Sequence, residues 1–438
     1  MPDSFRVTII VETVMEFVMP LDHLPRGVLS RLASGGRVAG ALATAAARRL
    51  GGGDQEALGQ ALGDRLVGEL DRMKGMAMKV GQILSTVESG LPESTTLALA
   101  RLQRGAQPLA PAAIARVVEE ALGAPPEVLF DAWRPEPVAA ASIGQVHRAR
   151  FEGQEVAVKV RYPGVREAIE ADLGPLGAVA SLASLATSVD GAALVAEMRE
   201  RFGEECDYRR EAAWLAAVGP HLPAGVEVPR VFPARCAETV LTTAWVDGHG
   251  VADGVSADVG RRLLATGWHT LLRSGFLHAD PHPGNYLVRP DGALVLLDWG
   301  CVRRVGAAEV EPVRALVRAV VDGDRPGYER ALAASGLVGD PRFDVGASWD
   351  THRWLLAPYL APSYTFGRGW MIEGARWTGP TAPNQRYMSL PPLWVWLLRQ
   401  VVGAHTTLGR LGLRVEARSD LLASLDAPLA PLADPCGG

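Results

Sequence analysis

The sequence LHADPHPGNYLVRPDGALVLLDWG, residues 277–300, is the most informative stretch of the chain. A polar loop contains Asp280 and Asn285, an apolar run follows at 293–297, and Asp298 comes next. An acid and an amide on one loop, with a second acid after a strand-like run, form the arrangement of phosphoryl-transfer sites. There the first acid orients or deprotonates the attacking hydroxyl, while the amide and the second acid hold magnesium on nucleotide phosphates.

The same loop also has a purely structural interpretation, in which Pro281, Pro283 and Gly284 only separate neighbouring elements. An HxD triplet alone would be weak support for catalysis. The complete string HADPHPGN, followed at hairpin distance by LLDWG, is much more specific. The sequence therefore favours phosphoryl transfer.

The size and composition of the chain indicate a globular protein with two or three subdomains. Its 438 residues exceed one compact domain, and 48% hydrophobic with 21% charged residues provide for a core. A formal net charge of −5 argues against nucleic acid as the main partner. The four cysteines have no CxxC spacing, which indicates reduced cytosolic thiols.

The apolar segments are shorter than the roughly 18 uninterrupted residues of a membrane span. Residues 8–19 are interrupted by two glutamates and lack a basic leader, and the run 393–402 is broken by Arg399. The Ala-rich segment 38–50 is a candidate for a surface helix on a membrane, although packing on its own domain is the simpler interpretation. We predict a cytoplasmic chain with, at most, peripheral membrane contact.

The front of the chain is predicted to be helical. Leucines recur at every fourth residue from Leu58 to Leu70, and the next helix carries Lys79 and Gln82 on one face. Burying a lysine without an acidic partner is costly. From spacing alone, Lys79 is therefore expected to extend into water.

Residues 127–160 change to a β-type pattern. Alternation in 145–150 and 155–160, with Gly153 between them, predicts a hairpin. Lys159 ends the second of these strands in the form VAVK. A lysine at a strand end is unremarkable in general, but in kinase-like folds it reaches the nucleotide phosphates and pairs with an acid on the next helix.

The turn before this hairpin is AAASIGQ, residues 139–145, where protein kinases carry GxGxxG. Alanine disfavours the positive φ angles that are open to glycine. We expect a stiffer loop whose amides point differently. The candidate nucleotide contacts in it are Ala139, Ala140, Ala141 and Ser142.

A densely charged segment, EMRERFGEECDYRREAAWL at 197–215, predicts a helix. It is either a solvated surface with i, i+4 ion pairs or the helix that supplies the partner of Lys159. Glu205, Asp207 and Glu211 are all candidates, and periodicity does not choose among them.

The rest of the pattern is mostly helical. A strand at 239–246 resembles the one that leads into the hinge between kinase lobes. The further predictions are helices at 259–274 (with Gly275 as cap), 307–321, 328–334 and 391–411, a loop at 359–383, and a frayed Pro-rich tail from Ala427.

With these motifs placed, the sequence resembles the UbiB/AarF-type atypical kinase family over roughly residues 55–413. The KxGQ signature of the family matches residues 79–82, its Ala-rich nucleotide loop matches AAASIGQVH, and its catalytic loop matches HADPHPGN. Its strand lysine matches Lys159, its acidic signature matches ECDYRREA at 205–212, and its metal acid matches Asp298.

The resemblance implies a role for each matched residue. Glu211 would pair with Lys159, while Glu205 and Asp207 would face the KxGQ segment with Lys79. With Gln82 from that segment, Glu205 and Lys79 join the residues implied to surround the nucleotide.

The resemblance also implies the chemistry: Asp280 as the catalytic acid–base, Asn285 and Asp298 as magnesium ligands, and ATP with Mg²⁺ as cofactors. The partners it implies are adenine nucleotide and a lipid or quinone-pathway component. Two departures affect these expectations. Trp299 stands where phenylalanine is usual, and Thr243-Ala244 replaces a Met-Glu pair in the hinge.

The fold class expected is α+β, a two-lobed protein-kinase-like fold with an N-terminal helical extension. The division expected is a leader at 1–53, the extension at 54–124, an N-lobe with a helical insert at 125–247, and a C-lobe at 248–438. The function expected is that of an atypical kinase or ATPase. The alternatives are a small-molecule kinase of the aminoglycoside or choline type and a nucleotide-binding regulator without turnover.

Overall fold

The computed structural model describes residues 109–437, except for 142, 168, 171–190, 379–381 and 385–386. The expectations for Lys79, Gln82 and Ser142 lie outside these described residues, as do those for the leader and most of the extension.

The described chain contains both helices and strands. The helices are α1 (Pro111–Leu122), α2 (Pro126–Leu129), α3 (Gly191–Glu205), α4 (Tyr208–Val218), α5 (Ala257–Ser274), α6 (Ala307–Asp322), α7 (Arg325–Ala334), α8 (Val345–Leu355), α9 (Arg368–Thr378), α10 (Pro392–Leu411) and α11 (Arg418–Asp426). The strands are β1 (Ala132–Ala140), β2 (Gly144–Phe151), β3 (Gln154–Arg161), β4 (Val226–Glu227), β5 (Val240–Ala244), β6 (His249–Gly250), β7 (Phe276–His278), β8 (Tyr286–Val288), β9 (Leu294–Leu296), β10 (Val302–Arg304), β11 (Tyr364–Thr365) and β12 (Arg414–Val415).

The first lobe is built on an antiparallel sheet of order β1-β2-β3-β5. Alternate residues of β3 are fully buried valines, as the period of two in the sequence predicts. Gly153 turns the β2–β3 hairpin with φ of +72°, a conformation that glycine adopts without strain. The predicted hairpin is therefore confirmed.

Helix α1 packs against this sheet. Its buried face, Ile114, Val117 and Val118, shares one apolar cluster with residues of β2 and β3. Proline near its first turn and Gly123 in the left-handed conformation after its last residue set its two ends. Helix α1 thus contributes to the core of the first lobe, while the four-part division of the chain stays a prediction.

The second lobe is mainly helical and is centred on α5. The Ser256 side chain caps the start of α5 by accepting from the Val259 N–H, and Gly275 ends it at φ of +66°. The chain then enters β7, which pairs with β10, and continues into the β8–β9 hairpin of a second four-stranded sheet of order β4-β9-β8-β6. This order of elements positions both ends of the polar loop.

The expected loop at 359–383 is partly wrong, because it contains β11 and α9. Trp370 of α9 stacks on Trp354 of α8 with ring centroids 4.5 Å apart. Each indole N–H donates to the backbone carbonyl of the other tryptophan, at 3.0 and 3.1 Å. This contact between two helices supplies stability that no local pattern in the sequence reveals.

The expectation of a frayed tail is also wrong. The Ala430 N–H donates to the Arg273 carbonyl at 2.7 Å, and the Leu432 N–H donates to the Ser274 carbonyl at 2.9 Å. The tail therefore satisfies backbone acceptors at the end of α5 that the helix leaves open.

Gly144→Ala should lower the free energy of unfolding by about 1–3 kcal/mol through overpacking. A Cβ at Gly144 would lie 2.3 Å from the Val160 carbonyl oxygen and 2.9 Å from the Tyr208 hydroxyl. Urea denaturation of both proteins measures the change. Gly203→Ala in α3, where an added Cβ meets open space, is the control and should not lower stability. An unchanged midpoint for Gly144→Ala would mean that β2 and β3 separate at little cost.

Candidate active site

A buried lysine joins two carboxylates between the lobes. The Nζ of Lys159, on β3, lies 2.9 and 3.0 Å from the two carboxylate oxygens of Glu211 and 2.8 Å from Oδ2 of Asp298. The exposed fractions of the three side chains are 13%, 1% and 18%. Asp298 is thus the member of the group most accessible to solvent.

The structure shows which of the three candidate acids contacts Lys159. Glu211 stands in the first turn of α4 and contacts Lys159. Asp207 is the N-cap of α4, accepting from the Arg209 N–H, and both of its oxygens bond the Arg209 guanidinium. Glu205 is buried at the end of α3 beside Gly300, where an added Cβ would meet its Cγ at 3.2 Å. Residues 79–82, which Glu205 and Asp207 are predicted to face, lie outside the described chain.

One ammonium contacts two carboxylates, of which Glu211 is buried and Asp298 is partly exposed, so the group of three carries more negative than positive charge when all are ionised. Burial opposes the charge of Lys159, but Asp298 and Glu211 outweigh it and hold the pKa of this lysine well above its ordinary value. Burial, reinforced by the charge of Asp298, raises the pKa of Glu211 from 4.5 to about 7 despite Lys159 and the Trp299 N–H. A cation bound near Asp298 would therefore neutralise the net negative charge of Lys159, Glu211 and Asp298 taken together.

Trp299, which follows Asp298 directly, is part of the core. Its ring is buried and makes edge contacts with Phe276 at 6.0 Å and His278 at 5.0 Å between centroids. Its backbone N–H donates to Glu211 at 3.3 Å. Tryptophan therefore packs into the core from the position that phenylalanine usually occupies.

Backbone and side-chain hydrogen bonds couple the polar loop to the Asp298 segment. His278 Nε2 lies 2.8 Å from the Asp298 carbonyl, to which its N–H donates, and the Leu297 N–H donates to the Asn285 carbonyl at 2.9 Å. Asn285 Nδ2 also donates to Oδ2 of Asp280 at 3.1 Å. Asp280, Asn285 and Asp298, which the sequence predicted as one site, are thus linked around the β8–β9 hairpin.

The Ala-rich turn extends from the same sheet as Lys159. Ala139 and Ala140 end β1 and are exposed, and the Ala141 N–H donates to the Gly144 carbonyl at 2.9 Å. Val146, two residues beyond Gly144, pairs directly with Lys159 across β2 and β3. The turn therefore joins β1 to β2, and β2 is the strand that pairs with the strand of Lys159.

Residues 101–332 match the ABC1 atypical kinase-like domain. The chain belongs to this family. It is 30% identical over 432 residues to the atypical kinase COQ8B, mitochondrial, of Rattus norvegicus, covering 90% of this chain and 80% of the rat protein. It is also 31% identical over 292 residues to the atypical kinase COQ8, mitochondrial, of Saccharomyces cerevisiae, covering 63% of this chain and 58% of the yeast protein.

A solved complex of Rv3197 with erythromycin, from Mycobacterium tuberculosis, is similar in structure with a TM-score of 0.60 and 28% identity. The match covers 90% of this chain and 99% of that one. The relation to the UbiB/AarF-type atypical kinases and the two-lobed, kinase-like α+β fold are confirmed.

One further residue of this ABC1-type site was missed from the sequence. Arg399, from the second turn of α10, donates to Oδ1 of Asp280 at 2.7 Å, and the exposed fractions of the two side chains are 8% and 5%. The two residues are separated by 119 positions. The available signal was the charge of Arg399 inside an apolar helix, since a buried arginine requires an acidic partner.

The donor set around Asp298 fits magnesium. Asp298 and Asn285 offer carboxylate and amide oxygens, which are hard ligands, and Asp298 reaches solvent. Within the described ranges, no three His, Cys, Asp or Glu side chains are grouped so as to hold a metal by themselves. Such a site suits Mg²⁺, which usually binds one or two protein ligands together with phosphates and water.

Glu211→Gln should alter the pH dependence of stability. The folded-state pKa of Glu211 is raised, from 4.5 to about 7. The stability that this raised pKa contributes is therefore fully present below pH 4.5, the ordinary pKa of the unfolded chain. It is lost as pH rises through about 7, the pKa in the folded protein. Glutamine does not ionise and therefore has no such loss. Between about pH 5 and about pH 8, the free energy of unfolding of the variant should rise by roughly 1–3 kcal/mol relative to that of the parent.

Urea denaturation at both pH values measures this difference. Glu155→Gln, at the half-exposed pair with Arg148, is the matched control and should follow the parent. If the stability of Glu211→Gln and of the parent depended on pH in the same way, the raised pKa of Glu211 would be contradicted.

Proposed function

We propose that this protein is a magnesium-dependent enzyme that binds ATP and transfers or hydrolyses its terminal phosphoryl group. The observation that carries the proposal is the contact of Lys159 with both Glu211 and Asp298, next to the Asp280–Asn285 loop. A cation, two oxygen ligands for metal and a carboxylate for the acceptor are the parts that phosphoryl transfer requires.

Each residue has a defined task in this proposal. Lys159, oriented by Glu211, binds the phosphates, and the turn from Ala139 to Ser142 covers them with backbone amides. Lys79, Gln82 and Glu205 form the opposite side of the site, as the family resemblance implies.

Asp298 and Asn285 would hold Mg²⁺, which neutralises charge on the phosphate oxygens when bound. Asp298 already accepts from Lys159 at Oδ2 and from the Gly300 N–H at Oδ1. A carboxylate oxygen has two acceptor directions, so accepting these hydrogen bonds is chemically compatible with coordinating a metal. The excess negative charge of the lysine–carboxylate group favours its binding.

Asp280 would orient the attacking hydroxyl or water and accept its proton. Arg399 positions the carboxylate by holding Oδ1, while Oδ2 is bonded by Asn285. If Asn285 turns toward the metal, Oδ2 becomes the oxygen that faces the acceptor. Arg399 is in this account a positioning residue and does not itself touch the substrate.

The engagement of both Asp280 oxygens also favours a second candidate, a nucleotide-binding regulator without turnover. The two candidates differ in phosphate release. Measuring it with purified protein, ATP and Mg²⁺, with and without lipid vesicles, tests the proposal directly. Release that Asp280→Asn abolishes supports the enzyme, and nucleotide binding with no release supports the regulator.

A link to quinone or isoprenoid lipid metabolism, with peripheral membrane contact, is part of the proposal and rests on the family relation. None of the helices among the described residues combines the length and apolarity needed to cross a bilayer. The vesicle arm of the phosphate-release assay tests this link, because stimulation by lipid would be expected.

Asp298→Asn should remove magnesium-dependent nucleotide binding and leave the fold intact. Asparagine keeps the shape of the side chain but lacks the charge that draws the metal. Thermal-shift titration with ATP and ADP, with and without Mg²⁺, measures the loss. Asp291→Asn, in the exposed turn of the same hairpin, is the control and should keep the full magnesium response. A full response in Asp298→Asn would show that the metal binds elsewhere.

Arg399→Met should lower turnover by about tenfold or more while magnesium–nucleotide binding persists, because Asp280 loses the group that orients it. It should also lower stability by roughly 3–5 kcal/mol, since a buried carboxylate loses its counter-charge. Arg399→Lys keeps the charge and should recover part of both. Faster turnover in Arg399→Met would instead identify Arg399 as an inhibitory contact.

A further inference from the structure

Helix α3 packs along the segment that follows Asp298. Near the end of α3, Arg201 donates from Nη1 to the Val302 carbonyl oxygen at 2.9 Å, across 101 positions of the chain. Glu205, four residues later on the same face of α3, lies against Gly300, where an added Cβ would meet its Cγ at 3.2 Å. The helix therefore contacts this segment at two points, and the Arg201 contact has no part in the proposed function.

The acceptor of the Arg201 bond lies on the open edge of a strand. Strand β10 pairs with β7 in a two-stranded sheet, so alternate carbonyls of β10 face away from β7. The Cys301 carbonyl accepts from the Ala279 N–H at 2.9 Å, on the β7 side, and that of Val302 faces the other way. Arg201 thus supplies the donor for a carbonyl that the sheet itself does not satisfy.

Charged side chains hold the rest of β10 in a similar manner. Arg303 bonds Glu197 of α3 at 3.2 Å and Glu309 of α6 at 2.9 Å. Arg304 bonds Asp434 of the ordered tail at 3.3 Å. All three residues of β10 are therefore bonded to elements outside their sheet.

Burial distinguishes Arg201 from an ordinary arginine on a helix surface. It is 7% exposed, and it also bonds three acids of its own helix, Glu197, Glu200 and Glu204. Exposed ion pairs within one helix contribute little to stability. A bond from a buried guanidinium to a backbone carbonyl is stronger, and its loss leaves the carbonyl unpaired.

The position of Asp298 depends on the segment that Arg201 holds. Three residues separate Asp298 from Val302. The Asp298 carbonyl is also bonded to His278 of β7, the strand that pairs with β10. A shift of β10 would therefore reach Asp298 through the chain and through the β7–β10 pair. Mutation of groups that orient a metal ligand typically changes metal affinity by about 10–100-fold.

We propose that Arg201 is a positioning residue for Asp298. By bonding the Val302 carbonyl, Arg201 fixes the segment after Asp298 against α3 and keeps the carboxylate in place for Mg²⁺. Arg201 itself touches neither the metal nor the nucleotide. The inference rests on the proposed function, in which Asp298 is a magnesium ligand.

The substitution Arg201→Met removes the bond and keeps an unbranched apolar side chain. The variant should fold, because the buried acids beside it keep other counter-charges. Glu197 still has Arg303 at 3.2 Å. Glu204 still has Arg210 at 2.6 Å.

The first measurement is a thermal-shift titration of the full chain with Mg²⁺ at a fixed concentration of ATP. In Arg201→Met the apparent affinity for Mg²⁺ should fall at least about tenfold, while nucleotide binding without Mg²⁺ stays at the parent value. Arg201→Lys keeps the charge and a donor, and should recover part of the magnesium affinity. A merely structural role would change stability without this difference between the two titrations.

The second measurement is hydrogen exchange of the ligand-free chain, which does not depend on the proposed function. In Arg201→Met the backbone amides of residues 299–304 should exchange at least about tenfold faster than in the parent. The amides of the β2–β3 hairpin should keep their rates, which separates a local effect from a general loss of stability.

The matched control is Arg314→Met. Arg314 of α6 has a side chain that is 14% exposed, pairs with Glu311 of its own helix, and donates to the distant Leu425 carbonyl at 2.7 Å. It resembles Arg201 in burial and bonding, but its backbone acceptors belong to other segments. Arg314→Met should lower stability and leave the magnesium affinity unchanged.

Two results would overturn the inference alone. One is a parent that responds to magnesium together with an Arg201→Met variant that responds equally. The other is unchanged exchange of residues 299–304 in that variant. A parent whose nucleotide binding does not respond to magnesium would contradict the proposed function, and the inference with it.

Discussion

The active-site region depends on one buried ammonium, that of Lys159, shared between two carboxylates. Its partners are 52 and 139 residues away in the chain, so this contact joins β3, α4 and the segment after β9. Taking three ionised groups out of water is expensive, and their attraction offsets this only if the geometry is maintained. The bond from the Trp299 N–H to Glu211 and the close approach of Gly300 to the acids hold that geometry. The same crowding leaves a negative excess at Asp298 that a metal ion can neutralise.

A second buried ion pair connects the opposite end of the site to the last long helix. Asp280 is fixed by Arg399 on one oxygen and by Asn285 on the other, so its orientation depends on both α10 and the polar loop. The polar loop is in turn bonded to the Asp298 segment through His278. A shift of α10 would therefore move Asp280 and with it the proposed acceptor site. Magnesium binding at Asn285 would affect Asp280 through its other oxygen.

The parts of this fold that depend on interactions between residues close in sequence could be predicted from the sequence. The β2–β3 hairpin, the ends of α5 and the β8–β9 hairpin follow from alternation, capping residues and glycine turns. The partner of Lys159 could not be chosen by periodicity, because Glu205, Asp207 and Glu211 all lie on one charged segment. Arg399 was noticed only as a break in an apolar run, since its partner is 119 residues away. Helix α9 and the ordered tail depend on contacts with Trp354 and with the end of α5, which have no local signal.

The central claim is that Asp298 and Asn285 hold a metal on nucleotide phosphates that Lys159 contacts. A crystal structure of the full chain with Mg²⁺ and a non-hydrolysable ATP analogue tests it most directly. The account predicts oxygens of Asp298 and Asn285 at about 2.0–2.1 Å from Mg²⁺. It also predicts Lys159 Nζ within hydrogen-bond distance of a phosphate oxygen while still bonded to Glu211. A nucleotide bound with its metal on other residues, or with Lys159 directed away from the phosphates, would contradict the account.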